Sequence, residues 1–264
     1  MDVTNVEADI LRVRGQAYDS AATVYLSGEN ALLVDALGSR SDAEDLRRLV
    51  TRDLGARVRF VIATHYFSDH MAALASFPEA QIVAHRDHRY TFDSERNRSE
   101  EERGFYLPPS IEVGSELLLR WGRFTFDVFH NPGHTTSTLN VDVSEADAVH
   151  VGDNLVGNIV YLAYSSPALL RRALGAVLRR GRARVMASHG PVAGARAVEN
   201  ALEYLQRLET KVRQAWWTSS AAKAIGGIGL GDCLAPGVTP TDFEAAFHDR
   251  NLASIIERRL FERN

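Results

Sequence analysis

Six side chains able to bind a metal fall into four short clusters along this 264-residue chain. His65, Asp69 and His70 share the run Thr64-His-Tyr-Phe-Ser-Asp-His70, and His134 ends Asn131-Pro-Gly-His134. Asp153 closes Val151-Gly-Asp153, and His189 lies in Ser188-His-Gly190. A lone histidine is more often a cap or a hydrogen-bonding core residue. An ordered series of imidazoles and carboxylates is different, because it supplies the donors that zinc or ferrous iron requires. Cys233 is the single cysteine, which excludes an internal disulfide and a zinc site made of several thiolates. A metal in this chain must sit on His, Asp and Glu.

Each cluster follows a predicted strand. Residues 9–14, 22–26 and 31–35 are β-prone, and Ser41-Asp-Ala-Glu44 has the form of a capping box opening a helix to about residue 53. Residues 58–63 make a buried strand running straight into the first cluster, with Ser68 or Asp69 placed to cap a helix through Ala75. A short strand at 81–84 precedes the most polar stretch, 86–104, which reads as a solvated helix or mobile loop. Strand patterns return over 111–151, a helix is expected at 167–180, and a strand at 183–187 ends at the last cluster. In α/β folds such strand ends bring side chains from distant segments together.

Composition narrows the partners. Lys+Arg 30 against Asp+Glu 34 gives a formal charge of -4, too little positive charge for a nucleic acid or an anionic membrane, so a small-molecule substrate is expected. No apolar run approaches a membrane span and the acidic N-terminus does not resemble a secretory signal, so a soluble cytoplasmic protein is expected. No repeat or flexible linker interrupts the chain. It reads as one α/β domain over 1–193 with a helical C-terminal extension, 194–264, packed on it. Trp216 and Trp217 in that extension read as core or interface anchors, the latter through a homodimer.

In order, spacing and flanking strands, the four clusters resemble the metallo-β-lactamase superfamily, whose pattern is H-x-H-x-D-H, then P-G-H, a bridging D and a final H before G. The resemblance covers about 9–193. It implies a four-layer αββα sandwich with metal at one edge of the two sheets. It also implies that His65 and His134 bind a first ion, that Asp69, His70 and His189 bind a second, and that Asp153 bridges them. One position departs. Phe67 stands where the family has its second histidine, giving H-x-F-x-D-H.

Three arrangements accommodate that loss. Metal fills only the second site and activates water there, with Asp153 as a further ligand or base. Alternatively both sites fill, the first completed by solvent or by Tyr66 or His88. In the third, His65, His134 and Asp153 form the two-histidine, one-carboxylate face of non-haem iron enzymes, as in the persulfide dioxygenases of the superfamily. A decayed site that only binds a ligand is the bland alternative. The expected activity is a Zn2+-dependent hydrolase, with one or two ions, acting on an ester, thioester, lactone or amide, with Asp69 and Asp153 catalytic. An Fe2+ oxygenase and a metal-dependent lyase or cyclase are the alternatives.

Other residues have plainer readings. His85 and His88 read as surface or capping groups, and strand alternation turns His130 and His150 away from the metal or behind its ligands. Tyr161 and Tyr164, with Phe67, are candidates for the substrate wall, though packing a helix or dimer contact is as good a reading for the tyrosines. The glycine run 226–231 reads as an interhelix loop rather than a phosphate cradle.

Overall fold

The computed structural model describes residues 1–96 and 98–262. Seven strands form the first sheet in sequence order: β1 (Asp2–Glu7), β2 (Ile10–Arg14), β3 (Ala21–Ser27), β4 (Asn30–Val34), β5 (Arg57–Ile62), β6 (Gln81–His85) and β7 (Ile111–Val113). The pairs from β1 to β4 are antiparallel and those from β4 to β7 parallel. The second sheet contains β8 (Glu116–Trp121), β9 (Phe124–His130), β10 (Leu139–Val143), β11 (Ala148–Gly152) and β12 (Arg184–Ala187), and only β11–β12 is parallel.

Period-two alternation gives each sheet two buried faces. On β4, Leu32 and Val34 point between the sheets toward Phe124, Phe126 and Val141, whereas Ala31 and Leu33 face the outer helical layer. That layer includes α1 (Arg40–Arg48), through Ala43 and Leu46. The α2 (His88–Ser94) and α3 (Glu100–Arg103) helices occupy the polar stretch. Over the second sheet, α4 (Pro167–Arg180) shares one apolar core with α5 (Ala195–Ala215), α6 (Ala221–Gly226), α7 (Leu230–Cys233) and α8 (Asp242–Arg258). The result is a four-layer αββα sandwich with helices at its C-terminal end. The 226–231 glycines fall at the junction of α6 and α7.

Three local expectations are corrected. The N-cap of α1 is Ser39, whose side chain accepts from the Asp42 N–H, and not Ser41; after Arg48 the helix widens into a π turn to Asp53. No α-helix follows Ser68. Two single 3-10 turns, Ser68–His70 and Leu74–Ser76, stand there instead. The cause is competition for backbone partners: Ala36 N–H donates to the His70 carbonyl, and Ala72 and Ala73 donate to Leu37 and Ala36. Finally, β1 is an edge strand that its charged, weakly alternating sequence conceals.

Candidate metal centre

The six donors come from both sheets. Thr64-His65 leaves β5, and Phe67 is extended (φ -88°, ψ 148°), which turns the chain so that Asp69 and His70 return toward His65. His134 sits between β9 and β10, Asp153 follows β11 and His189 follows β12. Two glycines permit this convergence. A Cβ on Gly133 would lie 2.1 Å from Asn154 Oδ1, the atom that accepts the His134 N–H. Gly152 has φ +60° and packs on Thr64, where a Cβ would be 3.1 Å from Oγ1. The Asn154 amide also donates to the Asn131 carbonyl, which fixes the loop carrying His134.

Asp153 Oδ2 lies at the centre. The Nε2 atoms of His189, His70, His65 and His134 surround it at 3.2, 3.5, 3.7 and 4.0 Å. Asp69 reaches His70 Nε2 at 3.3 Å and His189 Nε2 at 3.4 Å. Two overlapping donor sets result: Asp69, His70, Asp153 and His189, and His65, His134 and Asp153. Ligands of one tetrahedral ion at normal bond lengths are about 3.4 Å apart, which matches these separations.

The donor set also has the chemistry of a cation site. The Tyr18 carbonyl can only accept, so His189 Nδ1 carries the proton that reaches it over 2.8 Å. In the neutral tautomer the Nε2 lone pair then faces the Asp153 carboxylate, a repulsion relieved only by a proton or a metal. Similarly, Thr64 Oγ1 donates to Asp35, so it accepts from His65 Nδ1 at 3.1 Å and leaves His65 Nε2 bare. His65 Nε2, both nitrogens of His70 and His134, and Asp153 Oδ1 are buried without a hydrogen-bond partner. Such a concentration of orphaned donor atoms costs several kcal/mol unless something binds them.

Electrostatics agree. Burial opposes charging of His70, but the Asp69 and Asp153 carboxylates outweigh it and push the imidazole up to about 10. His189 is raised against burial, chiefly by Asp153. Despite its own burial, Asp153 is held well below the usual carboxylate range by His189, His70 and His65. Burial, with His70 adding to it, lowers His65 well below the ordinary histidine range, and burial lowers His134. The centre thus favours positive charge at the Asp69/His70/His189 end and neutral imidazoles at the other.

Phe67 occupies the neutral end. Its nearly buried ring meets His65, His134 and Tyr164 at centroid distances of 5.3, 5.1 and 4.7 Å. The suggested replacement ligands do not reach it. Tyr66 donates its hydroxyl to the Leu107 carbonyl, and His88 lies between Tyr66 and Tyr106 with Nε2 toward Glu112. His85 and His88 are buried rather than on the surface, and His85 closes a turn by accepting the Asp87 N–H. His150 bonds Tyr25 between the sheets at 2.7 Å, while His130 stacks on His85. None of these four joins the cluster.

A cleft of about 560 Å³ opens onto Asp69, His134, Asp153 and His189. Phe67, Tyr161 and Tyr164 line it, as the sequence suggested, and the polar stretch contributes Glu95, Arg96, Arg98 and Glu102. Sequence reasoning missed Tyr18 and the α8 residues Phe243, Phe247 and Arg250. Their i, i+4, i+7 spacing puts the latter three on one helix face, but nothing in the spacing says what that face covers.

The sequence model of the metallo-beta-lactamase superfamily matches residues 16–213. Among curated proteins, atrochrysone carboxyl ACP thioesterases of Pseudocercospora fijiensis and Claviceps purpurea are 25% and 24% identical over 56% and 60% of this chain. The chain spans under half of those proteins, 43% and 48%. In fold it is similar to a metallo-beta-lactamase from Pontibacter korlensis, with a TM-score of 0.65, 16% identity, 78% of this chain covered and 98% of that one. A sec-alkylsulfatase from Pseudomonas sp. gives 0.73 at 10% identity, covering 98% of this chain and 50% of that one. The match of the family model over most of the chain, together with a shared sandwich, makes this chain a member of the metallo-beta-lactamase superfamily.

Proposed function

We propose that the chain is a metal-dependent hydrolase of a small-molecule carbonyl compound, with a thioester first among ester, lactone and amide. The observation that carries this reading is the set of six buried or half-buried donors opening on a cleft of substrate size. The thioesterase names of the curated relatives favour the thioester.

Asp69, His70, Asp153 and His189 would hold the principal ion, with His65, His134 and Asp153 as the second set. When bound, a divalent cation such as Zn2+ supplies Lewis acidity, which activates water and polarises a carbonyl at neutral pH. The protein's own residues do the rest. Asp69 is the half-exposed carboxylate of the cluster, with a side chain 20% accessible, so it can take the proton of attacking water and return it to the leaving thiol. Tyr164 accepts the Arg96 N–H at 3.2 Å, which leaves its own hydroxyl proton to orient a substrate oxygen. Phe67 and Tyr161 keep water from the His65/His134 side.

Assay of the metal-replete protein on N-acetylcysteamine thioesters and the matching esters, lactones and amides tests the reading. Thiol release is expected, and Asp153→Ala should lower it by at least about a hundredfold in protein that calorimetry shows to be folded. Absence of turnover throughout the panel would overturn the proposal. The His65/His134/Asp153 set supports a second reading, Fe2+ chemistry with dioxygen. Iron in the purified protein, with substrate-dependent oxygen uptake, would establish that alternative.

A further inference from the structure

The walls of the cleft say more about the substrate than its metal-facing end. Of the six Phe and Tyr rings that line it, Tyr18 is tied by its hydroxyl to Glu102, and five from three other segments pack together: Phe67, Tyr161, Tyr164, Phe243 and Phe247. They brace one another edge-on, Tyr161 against Phe247 at 4.9 Å and 89°, and Phe67 against Tyr164 at 4.7 Å and 69°. Phe243 adds a tilted contact to Phe247 at 4.8 Å. Rings fixed in this way present rigid flat faces and edges, which reward a flat π-system over a flexible chain of equal size.

Outside the donor cluster, most charged groups of the lining have partners. Glu95 accepts the N–H and hydroxyl of Ser68, and Glu102 accepts the Ser99 N–H and the Tyr18 hydroxyl. Among the arginines, Arg96 pairs with Glu257 at 3.4 Å, and Arg98 lies 3.8 Å over the Phe92 ring with Glu95 at 3.9 Å. Arg250 differs. Its guanidinium lies 5.1 Å from the Phe247 ring, exposed, and has no carboxylate within 4 Å among the described residues. A planar fork of donors beside an aromatic wall suits an anion carried on a ring.

We propose that the cleft selects an acyl group built on a flat aromatic ring system with an acidic substituent, the rings held among the five aromatic side chains and the acid by Arg250. This rests on the hydrolase reading for the bond that is cleaved, but its test does not depend on turnover. Calorimetric titration of the zinc-loaded protein with octanoate, 2-naphthoate and the tighter of naphthalene-1,4- and 2,6-dicarboxylate compares the walls alone, since each probe brings one carboxylate for the cation. The Kd of 2-naphthoate should be at least about tenfold below that of octanoate, and the dicarboxylate tighter again by about tenfold. Arg250→Met, at an exposed position, should bring mono- and dicarboxylate together, and Phe247→Leu should narrow the gap between 2-naphthoate and octanoate. Octanoate binding as tightly as 2-naphthoate would overturn the ring preference. A dicarboxylate no tighter than 2-naphthoate, or an undiminished gap in Arg250→Met, would overturn the role of Arg250. Hydrolysis could fail in every assay while this order of affinities stands, so the two proposals fall separately.

Discussion

Phe67 is the residue at which this chain departs from the pattern of its family, and its surroundings favour adaptation over loss. The ring is gripped edge-on by His65, His134 and Tyr164, so it is part of the wall rather than a gap in a ligand shell. At this position an imidazole would stand beside two imidazoles that burial keeps neutral, which is where a further ion needs a third nitrogen. Phe67→His should therefore raise the metal content measured by elemental analysis toward two ions per chain, with no gain in the native reaction. A folded variant with unchanged metal content would count against this account. The six donors were legible in the sequence because each sits in a short motif at a strand end. Arg250 and the α8 phenylalanines were not, because they face the cleft from more than fifty residues beyond the last motif and ordinary helical spacing carries no sign of their neighbours.

Elements were legible where one strong pattern governs them. β-prone or buried runs located β2 to β6 and β8 to β12, and the helix expected at 167–180 is α4, Pro167–Arg180, whose Ser166 cap accepts from Leu169 N–H and whose Gly181 adopts φ 66°. Where two patterns compete, sequence chooses badly. Residues 68–75 have helix-forming composition, yet their backbone groups are taken by Ala36 and Leu37. At α1 two serines offer a cap, and Ser39 wins because Asp42, which donates its N–H to Ser39, also accepts Gln16 and Ala17 N–H groups and locks that register. Ser39→Ala should accordingly cost about 1 kcal/mol in chemical denaturation, and Ser41→Ala less than about 0.5 kcal/mol. Equal effects of the two substitutions would show that the helix starts elsewhere.

At the scale of the whole molecule, the donor cluster is a joint between two sheets. His65, Asp69 and His70 follow β5 in the first sheet, whereas His134, Asp153 and His189 leave strands of the second. The joint has protein reinforcement behind it: Ser188 donates to Asp35 at 2.6 Å, and Asp35 also accepts the Thr64 N–H and hydroxyl. Bare imidazoles and a buried carboxylate nevertheless face one another there, so without a cation the sheets meet over unsatisfied donors. No helix among the described residues is long and apolar enough to cross a membrane. A ligand that binds only the folded state stabilises it by about 2.7 kcal/mol at a hundred times its Kd. For a chain of this size that corresponds to a rise of roughly 5–10 °C in Tm. Chelation followed by titration with Zn2+ should therefore move one cooperative calorimetric transition upward by this amount, continuously with metal concentration, because all layers depend on the same joint. A Tm that ignores added metal would mean that the cluster is satisfied by protons alone, and the metal centre would have to be abandoned.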